Sequence, residues 1–148
     1  MSIGKYCNRE VIVISKNESI EDAIQLMRLY HVGDLVVVDS INEKKPVGIL
    51  TDRDIVVMLL AKNVDLSTIR VSDVMSDQLA TTTEDTDLLD AIEIMKTKGV
   101  RRLPITDQNN NLIGLLTADD ILDLVAEQVG SLAKLVNKQQ KNEALHRP

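Results

Sequence analysis

The sequence predicts an α/β fold built from two β-α-β-β-α repeats related by a pseudo-twofold axis and followed by a C-terminal helical extension. Three observations predict it. The chain has 148 residues, 44% hydrophobic and 27% charged, the make-up of a folded globule rather than a disordered one. An amphipathic helical pattern recurs sixty-eight positions along the chain, and a glycine-led strand-to-helix string recurs after it in the same order. At this length the expectation is one domain or two small units sharing a core, because an isolated half buries too little surface to be robust.

The elements follow in order. Val11–Ile14 is a short apolar run and predicts a strand. In Ser19-Ile-Glu-Asp-Ala-Ile-Gln-Leu-Met27, Ile20, Ala23, Ile24 and Met27 share one face, which predicts a helix over 20–30. The continuous Leu35-Val-Val-Val38 predicts a strand buried on both faces, and the polar Ser40–Pro46 loop turns the chain into a further strand at Val47–Leu50. A helix over Asp52–Lys62 completes the first unit, Asn63–Val71 connects, and Asp73-Val-Met-Ser76 forms a short turn. From Leu79 to about Glu127 the order repeats: a strand at Leu79–Thr83, then Asp87-Leu-Leu-Asp-Ala-Ile-Glu-Ile-Met95 with Leu88, Ala91, Ile92 and Met95 on one face. Val32 then aligns with Val100, Leu35 with Leu103 and Asp39 with Asp107. After two extra loop residues in the first copy, Gly48-Ile-Leu-Thr51-Asp-Arg-Asp54-Ile55 aligns with Gly114-Leu-Leu-Thr117-Ala-Asp-Asp120-Ile121, and Gln108–Asn111 supplies the matching turn. The boundaries are 5–62 for the first repeat, 63–76 for the connector, 77–128 for the second repeat and 129–148 for a C-terminal helix and tail. In that last segment Leu132, Leu135 and Val136, with Lys134, Lys138 and Lys141, predict a separate amphipathic helix that Gly130 bends or breaks, ending in the polar His146-Arg-Pro148.

Composition narrows the function. There is no Phe or Trp, and Tyr6 and Tyr30 are the only aromatics, so the core is aliphatic and no stacking platform for single-stranded nucleic acid is available. A net charge of −6 opposes binding to polyphosphate backbones and to anionic membranes. The lone Cys7 forms no internal disulfide, no secretory leader opens the chain, and no apolar run approaches the roughly 20 residues of a membrane span, so the expected setting is the cytoplasm. His31 and His146 lie far apart and Cys7 has no motif partner, so neither a metal cage nor a Cys-His nucleophile is expected. The carboxylates around 84–90 suit a helix N-terminus. No base, nucleophile and oxyanion donor can be grouped, so an enzyme is not expected.

Two chemistries meet in the repeated Thr-x-x-Asp. At a helix start, Thr51 can meet a phosphate or ribose oxygen, and Asp54 can accept hydrogen bonds from both hydroxyls of a ribose. The same string is also nearly a capping box, in which both side chains satisfy N–H groups of their own helix. Arg101 and Arg102 are equally readable as an exposed charge pair or as a phosphate site, and Arg53 adds a third guanidinium.

Two β-α-β-β-α units, each with Asp-Ala-Ile on the first helix and Gly-h-h-Thr-x-x-Asp-Ile (h apolar) opening the second, resemble the tandem CBS (cystathionine-β-synthase) module over roughly residues 5–128. Gly48–Ile55, Val100-Arg-Arg-Leu-Pro-Ile105 and Asp73-Val-Met-Ser76 are the strings closest to that family. The resemblance implies two clefts between the units, homodimerisation through the CBS units, and adenosyl ligands (AMP, ADP, ATP, S-adenosylmethionine or NADH) that regulate a separate protein. It places Thr51, Arg53 and Asp54 of one unit opposite Arg101 and Arg102 of the other, with the base near Ile49, Leu50, Ala80 and Thr81. The second cleft combines Thr117 and Asp120 with Gly33 and Asp34, where the first has two arginines. Unit charges about 4 Å apart interact by about 4 kcal/mol at an effective dielectric of about 20, so Asp34 weakens phosphate binding there and favours a cationic ligand such as S-adenosylmethionine. One favoured site is therefore expected.

Overall fold

Residues 1–146 are described by a computed structural model. Strand β1 (Val13–Ser15), helix α1 (Ile20–Tyr30), strands β2 (Asp34–Val38) and β3 (Pro46–Thr51), and helix α2 (Asp52–Met58) form the first unit. Helix α3 (Leu88–Lys98), strands β4 (Arg102–Thr106) and β5 (Leu112–Thr117), and helix α4 (Ala118–His146) form the second. In the first sheet β1 runs parallel to β2, and β2 pairs antiparallel with β3; β4 and β5 pair in the same antiparallel way.

Of the stripes read from the sequence for α1 and α3, Ile24 and Ile92 are partly buried against the cores and the other six residues are buried within them. Ile20, Ala23 and Met27 join Ile14, Leu35, Val37, Leu50 and Ile55 in one core, and Leu88, Ala91 and Met95 join Leu103, Ile105, Leu116 and Ile121 in the other. Side chains alternate along a strand, so Val36 and Val38 bury the opposite face of β2, and Pro104 and Thr106 the opposite face of β4. Both central strands are thus covered on both sides. Helices start and stop where local chemistry dictates: the Ser19 hydroxyl accepts from the Asp22 N–H, the Asp87 carboxylate from the Leu89 N–H, and His31 and Gly99 close α1 and α3 in the left-handed region.

Three expectations need correction. The strand at Leu79–Thr83 shrinks to one parallel bridge between Thr82 and Ile105. Its threonines are engaged locally instead: Thr82 and Thr86 hydroxyls lie 2.6 Å apart, and the Thr83 hydroxyl donates to Asp85 at 2.6 Å. Helix α2 stops at Met58, and Leu60–Lys62 continues as a 3₁₀ turn closed by Asn63 at φ 55°. Finally, α4 runs through Gly130 as one 29-residue helix. Gly130 faces open space, so its cost is the intrinsic one of about 1 kcal/mol, and strong helix formers such as Ala126, Leu132, Ala133 and Leu135 surround it. Arg147 and Pro148 of the expected polar tail lie outside the described residues.

The segments that precede the repeats are exchanged between them. Val71 and Val74, in the connector, are buried in the first core, whereas Ile3 is buried in the second. Ser76 and Ile49 exchange two backbone hydrogen bonds at 2.9 and 3.1 Å, and Asn8 and Leu115 exchange two at 2.9 Å. Residues 3 and 71, and 8 and 76, are equivalent on the sixty-eight-residue offset. Each lead-in therefore extends the sheet of the other unit.

Candidate functional site

Both Thr-x-x-Asp strings form capping boxes. The Thr51 hydroxyl accepts from the Asp54 N–H at 3.1 Å while the Asp54 carboxylate accepts from the Thr51 N–H at 3.4 Å. Thr117 and Asp120 repeat the arrangement at 3.1 and 3.3 Å. The box uses one oxygen of each carboxylate, Oδ2, and leaves the other outside it. All four residues are partly exposed, so capping leaves each one accessible from solvent.

A pocket of about 250 Å³ lies between the units, lined by Ile49 of the first, by Ser76, Gln78 and Leu79, and by Gly99, Val100, Arg101 and Arg102 of the second. It brings Ile49 together with both arginines of the other repeat. Thr51 and Asp54 stand beyond its walls, two and five residues after Ile49, where β3 gives way to α2. Arg53 is exposed, and among the described residues it makes no ion pair. Leu50 is the residue that does not fit: at 0% exposure it points into the first core, as the strand alternation next to half-buried Ile49 requires, and offers nothing to a ligand. Ala80 lines a neighbouring hollow with Asp77, Gln78, Leu79 and Lys98, and Thr81 is exposed beside it.

The two arginines are not equivalent. Arg101 pairs with Asp119 at 3.3 Å, but both side chains are more than 70% exposed, so the contact is weak and easily exchanged. Arg102 is about one-third exposed and its Nε donates to Asp34, which is less exposed still. On the ladders, Asp34 stands opposite Thr51 and Arg102 opposite Thr117, so this ion pair ties together the two strand ends that start α2 and α4. Gly33 lies against the Asp52 carboxylate, which a Cβ at Gly33 would meet at 3.1 Å, and none of Gly33, Asp34, Thr117 and Asp120 lines the pocket.

Ser76, Gln78 and Gly99 were missed by sequence reasoning. The string Asp73-Val-Met-Ser76 marked the right place, but it read as a turn, and only the Ser76–Ile49 bridge reveals that it edges the pocket. Carboxylates whose protonation is displaced serve turns and caps. Asn111 and Asn109 N–H groups hold Asp107 below the usual carboxylate range, the N-terminal ammonium does so for Asp87, and the Thr83 hydroxyl for Asp85. Among the described residues no helix is long and apolar enough to cross a membrane, and no three His, Cys, Asp or Glu side chains gather to hold a metal.

Comparison with known proteins matches the CBS domain family twice, at residues 3–61 and 71–127. An uncharacterised protein of Methanopyrus kandleri is 33% identical over 141 residues, covering 95% of this chain and 71% of its own. A CBS domain-containing protein of Bacillus subtilis is 38% identical over 120 residues, 81% of this chain and 82% of its own. Among solved structures, a putative signal-transduction protein with CBS domains from Burkholderia ambifaria superposes with a TM-score of 0.68 at 27% identity, covering 80% of this chain and 84% of that one.

Proposed function

The chain belongs to the CBS domain family, with two CBS domains in tandem, and from that premise we propose that it is a regulatory sensor of an adenine nucleotide (AMP, ADP or ATP) acting on a separate partner protein. The observation that carries this reading is the pocket in which Ile49 of one repeat faces Arg101 and Arg102 of the other. Guanidinium groups bind phosphate through paired, charge-assisted hydrogen bonds. The base lies against Ile49 and Leu79, and the ribose reaches toward Asp54, whose Oδ1 lies outside the capping box and is open to the sugar hydroxyls. Arg53 closes over the phosphates from solvent.

Regulation follows from Arg102. A phosphate that recruits this guanidinium competes with Asp34, so the ligand favours a state in which the tie between the units is loosened. Such differential affinity for two arrangements is what a sensor needs. The likeness to a protein described as a putative signal-transduction protein with CBS domains supports a regulatory rather than catalytic role. On this reading the role is exercised in the cytoplasm by a homodimer formed through the CBS units.

A thermal-shift panel of AMP, ADP, ATP, S-adenosylmethionine and NADH tests this directly. A ligand at 100 times its dissociation constant adds about 2.7 kcal/mol, which at about 2–4 °C per kcal/mol raises the melting temperature by several degrees. Stabilisation by AMP, ADP or ATP supports the reading. A response only to S-adenosylmethionine or NADH, or to none at millimolar ligand, overturns it.

A further inference from the structure

At the end of β4 away from Arg102, a hollow of about 590 Å³ is lined by residues 83–85, which lead into α3, and by residues 106–109, where β4 turns. Glu84, Asp85 and Asp107 bring three carboxylates to it, and the rest of its lining is hydroxyl and amide. Thr106 is the one buried polar side chain among the described residues, at 5% exposure. Leu103 and Ile105 point into the second core, so strand alternation turns Thr106 to the other face, where the hollow opens. Its N–H donates to the Thr82 carbonyl at 2.9 Å, but its hydroxyl makes no hydrogen bond among the described residues. No fully enclosed side-chain oxygen among them lacks a partner, so this hydroxyl is reached through the hollow. A nearly buried hydroxyl costs free energy unless something in that hollow bonds it.

The first repeat shows what such a site holds. On the sixty-eight-residue offset, Glu84 aligns with Lys16, Asp85 with Asn17, Thr106 with Val38 and Asp107 with Asp39. In the first unit the Lys16 ammonium lies on the Asp39 carboxylate at 2.6 Å, and Val38 is fully buried. The second unit carries the same acceptor, Asp107, without the attached ammonium, and adds two carboxylates and the free hydroxyl. Arg9 meets Glu84 at 2.9 Å with both side chains about half exposed, and among the described residues neither Asp85 nor Asp107 pairs with a cation. The Asn111 and Asn109 N–H groups bond Oδ1 of Asp107, and the Thr83 hydroxyl bonds Oδ1 of Asp85. Both carboxyls are held below the usual range and stay charged at neutral pH, with Oδ2 of each outside those bonds.

We propose that this hollow binds a linear aliphatic polyamine, one primary ammonium taking on Asp107 the place that Lys16 takes on Asp39, with the Thr106 hydroxyl accepting a further N–H. An ammonium group has three donors and no acceptor, which suits a lining of carboxylate, hydroxyl and amide oxygens. A metal ion needs its oxygens gathered around one point. Glu84, Asp85 and Asp107 do not gather in that way, and carboxylates spread over the hollow match charges spaced along a flexible chain instead. The site lies at the opposite end of β4 from the arginines, so the inference stands whether or not a nucleotide binds.

Calorimetric titration of the full-length chain at low ionic strength, with spermidine, butylammonium and Mg²⁺ as separate titrants and no nucleotide present, tests it. One spermidine is expected per chain, at least about tenfold tighter than butylammonium, because ammonium groups on one chain are held together. Thr106→Val, which copies Val38, is expected to weaken spermidine by about tenfold while leaving the urea-unfolding midpoint unchanged or raised, since the hydroxyl it removes has no partner in the protein. Glu84→Lys, which copies Lys16, is expected to abolish binding with circular dichroism unchanged; should it unfold, Thr106→Val alone decides. Glu127→Lys makes the same charge change on the exposed part of α4 and is expected to bind like the parent. No saturable spermidine binding at millimolar concentration, several weak sites per chain, unchanged affinity in Thr106→Val, or equal losses in Glu127→Lys and Glu84→Lys overturns the proposal. Tighter binding of Mg²⁺ than of spermidine overturns it in favour of a metal, and equal binding of butylammonium in favour of a single ammonium group.

Discussion

Arg102 and Asp34 are the same position in the two repeats, sixty-eight residues apart, and they bind each other between the units. Internal duplication usually gives equivalent sites; here the equivalent residues have opposite charge and neutralise one another. The pair is only part-buried, so its loss is expected to cost more than the 0.2–1 kcal/mol of a fully exposed pair and less than the 3–5 kcal/mol of a buried one. Asp34→Ala should lower stability by about 1–2 kcal/mol in urea unfolding. Arg102→Ala should cost a similar amount, and the double variant little more than either alone, because the second change removes a partner already lost.

The capping boxes allow structure and binding to be separated. Thr51→Ala and Thr117→Ala each remove one cap and should each cost about 0.5–2 kcal/mol in the same unfolding assay. Only Thr51→Ala and Asp54→Ala should also weaken nucleotide binding, because Thr117 and Asp120 belong to the cleft expected to meet Gly33 and Asp34 rather than two arginines. Equal losses of affinity at both positions would mean that the effect on binding is merely structural.

Backbone approach at the pocket edge makes a second contrast. A Cβ on Gly48 would meet the Ser76 carbonyl oxygen at 2.6 Å and the Met75 sulfur at 2.9 Å, whereas on Gly114 the closest atom is the Cys7 sulfur at 2.8 Å, with the Asn8 carbonyl oxygen at 3.3 Å. A side-chain sulfur gives way more readily than a backbone carbonyl held by the Ser76–Ile49 bridge. Gly48→Ala is therefore expected to destabilise by about 1–3 kcal/mol, and Gly114→Ala by less. Thermal unfolding of the two variants side by side checks the order.

Much of this was legible in the sequence, and the limits have physical causes. Helices α1 and α3 were readable because Ile20, Ala23 and Met27, and Leu88, Ala91 and Met95, carry the 3.6-residue period in plain view. The Leu35–Val38 run announced a strand buried on both faces. The exchange of Ile3 and Val71 was not readable, because a single apolar residue in a three-residue turn carries no period and nothing local says which sheet it joins. Gly130 misled for the opposite reason: its local cost is real but too small to stop a helix with strong formers on both sides. At the site, residue types pointed to Arg102 and Asp34 separately, each serving its own cleft. That they would engage each other depends on tertiary geometry, which composition does not contain.

The exchanged lead-in makes its own prediction. Ile3 is fully buried in the second core although it precedes the first repeat in the chain. Ile3→Ala should cost about 2–5 kcal/mol. Hydrogen exchange should show the loss of protection in α3, β4 and β5 rather than in α1 and β2.

Calorimetric titration of AMP, ADP and ATP into the full-length chain and its Asp34→Asn variant tests the single arginine-lined cleft most directly. One nucleotide is expected per chain, bound about tenfold more tightly, or about 1.4 kcal/mol, once Asp34 no longer competes for Arg102, and lost in Arg101→Ala/Arg102→Ala. Two equivalent sites per chain, or an affinity that Asp34→Asn leaves unchanged, would contradict it.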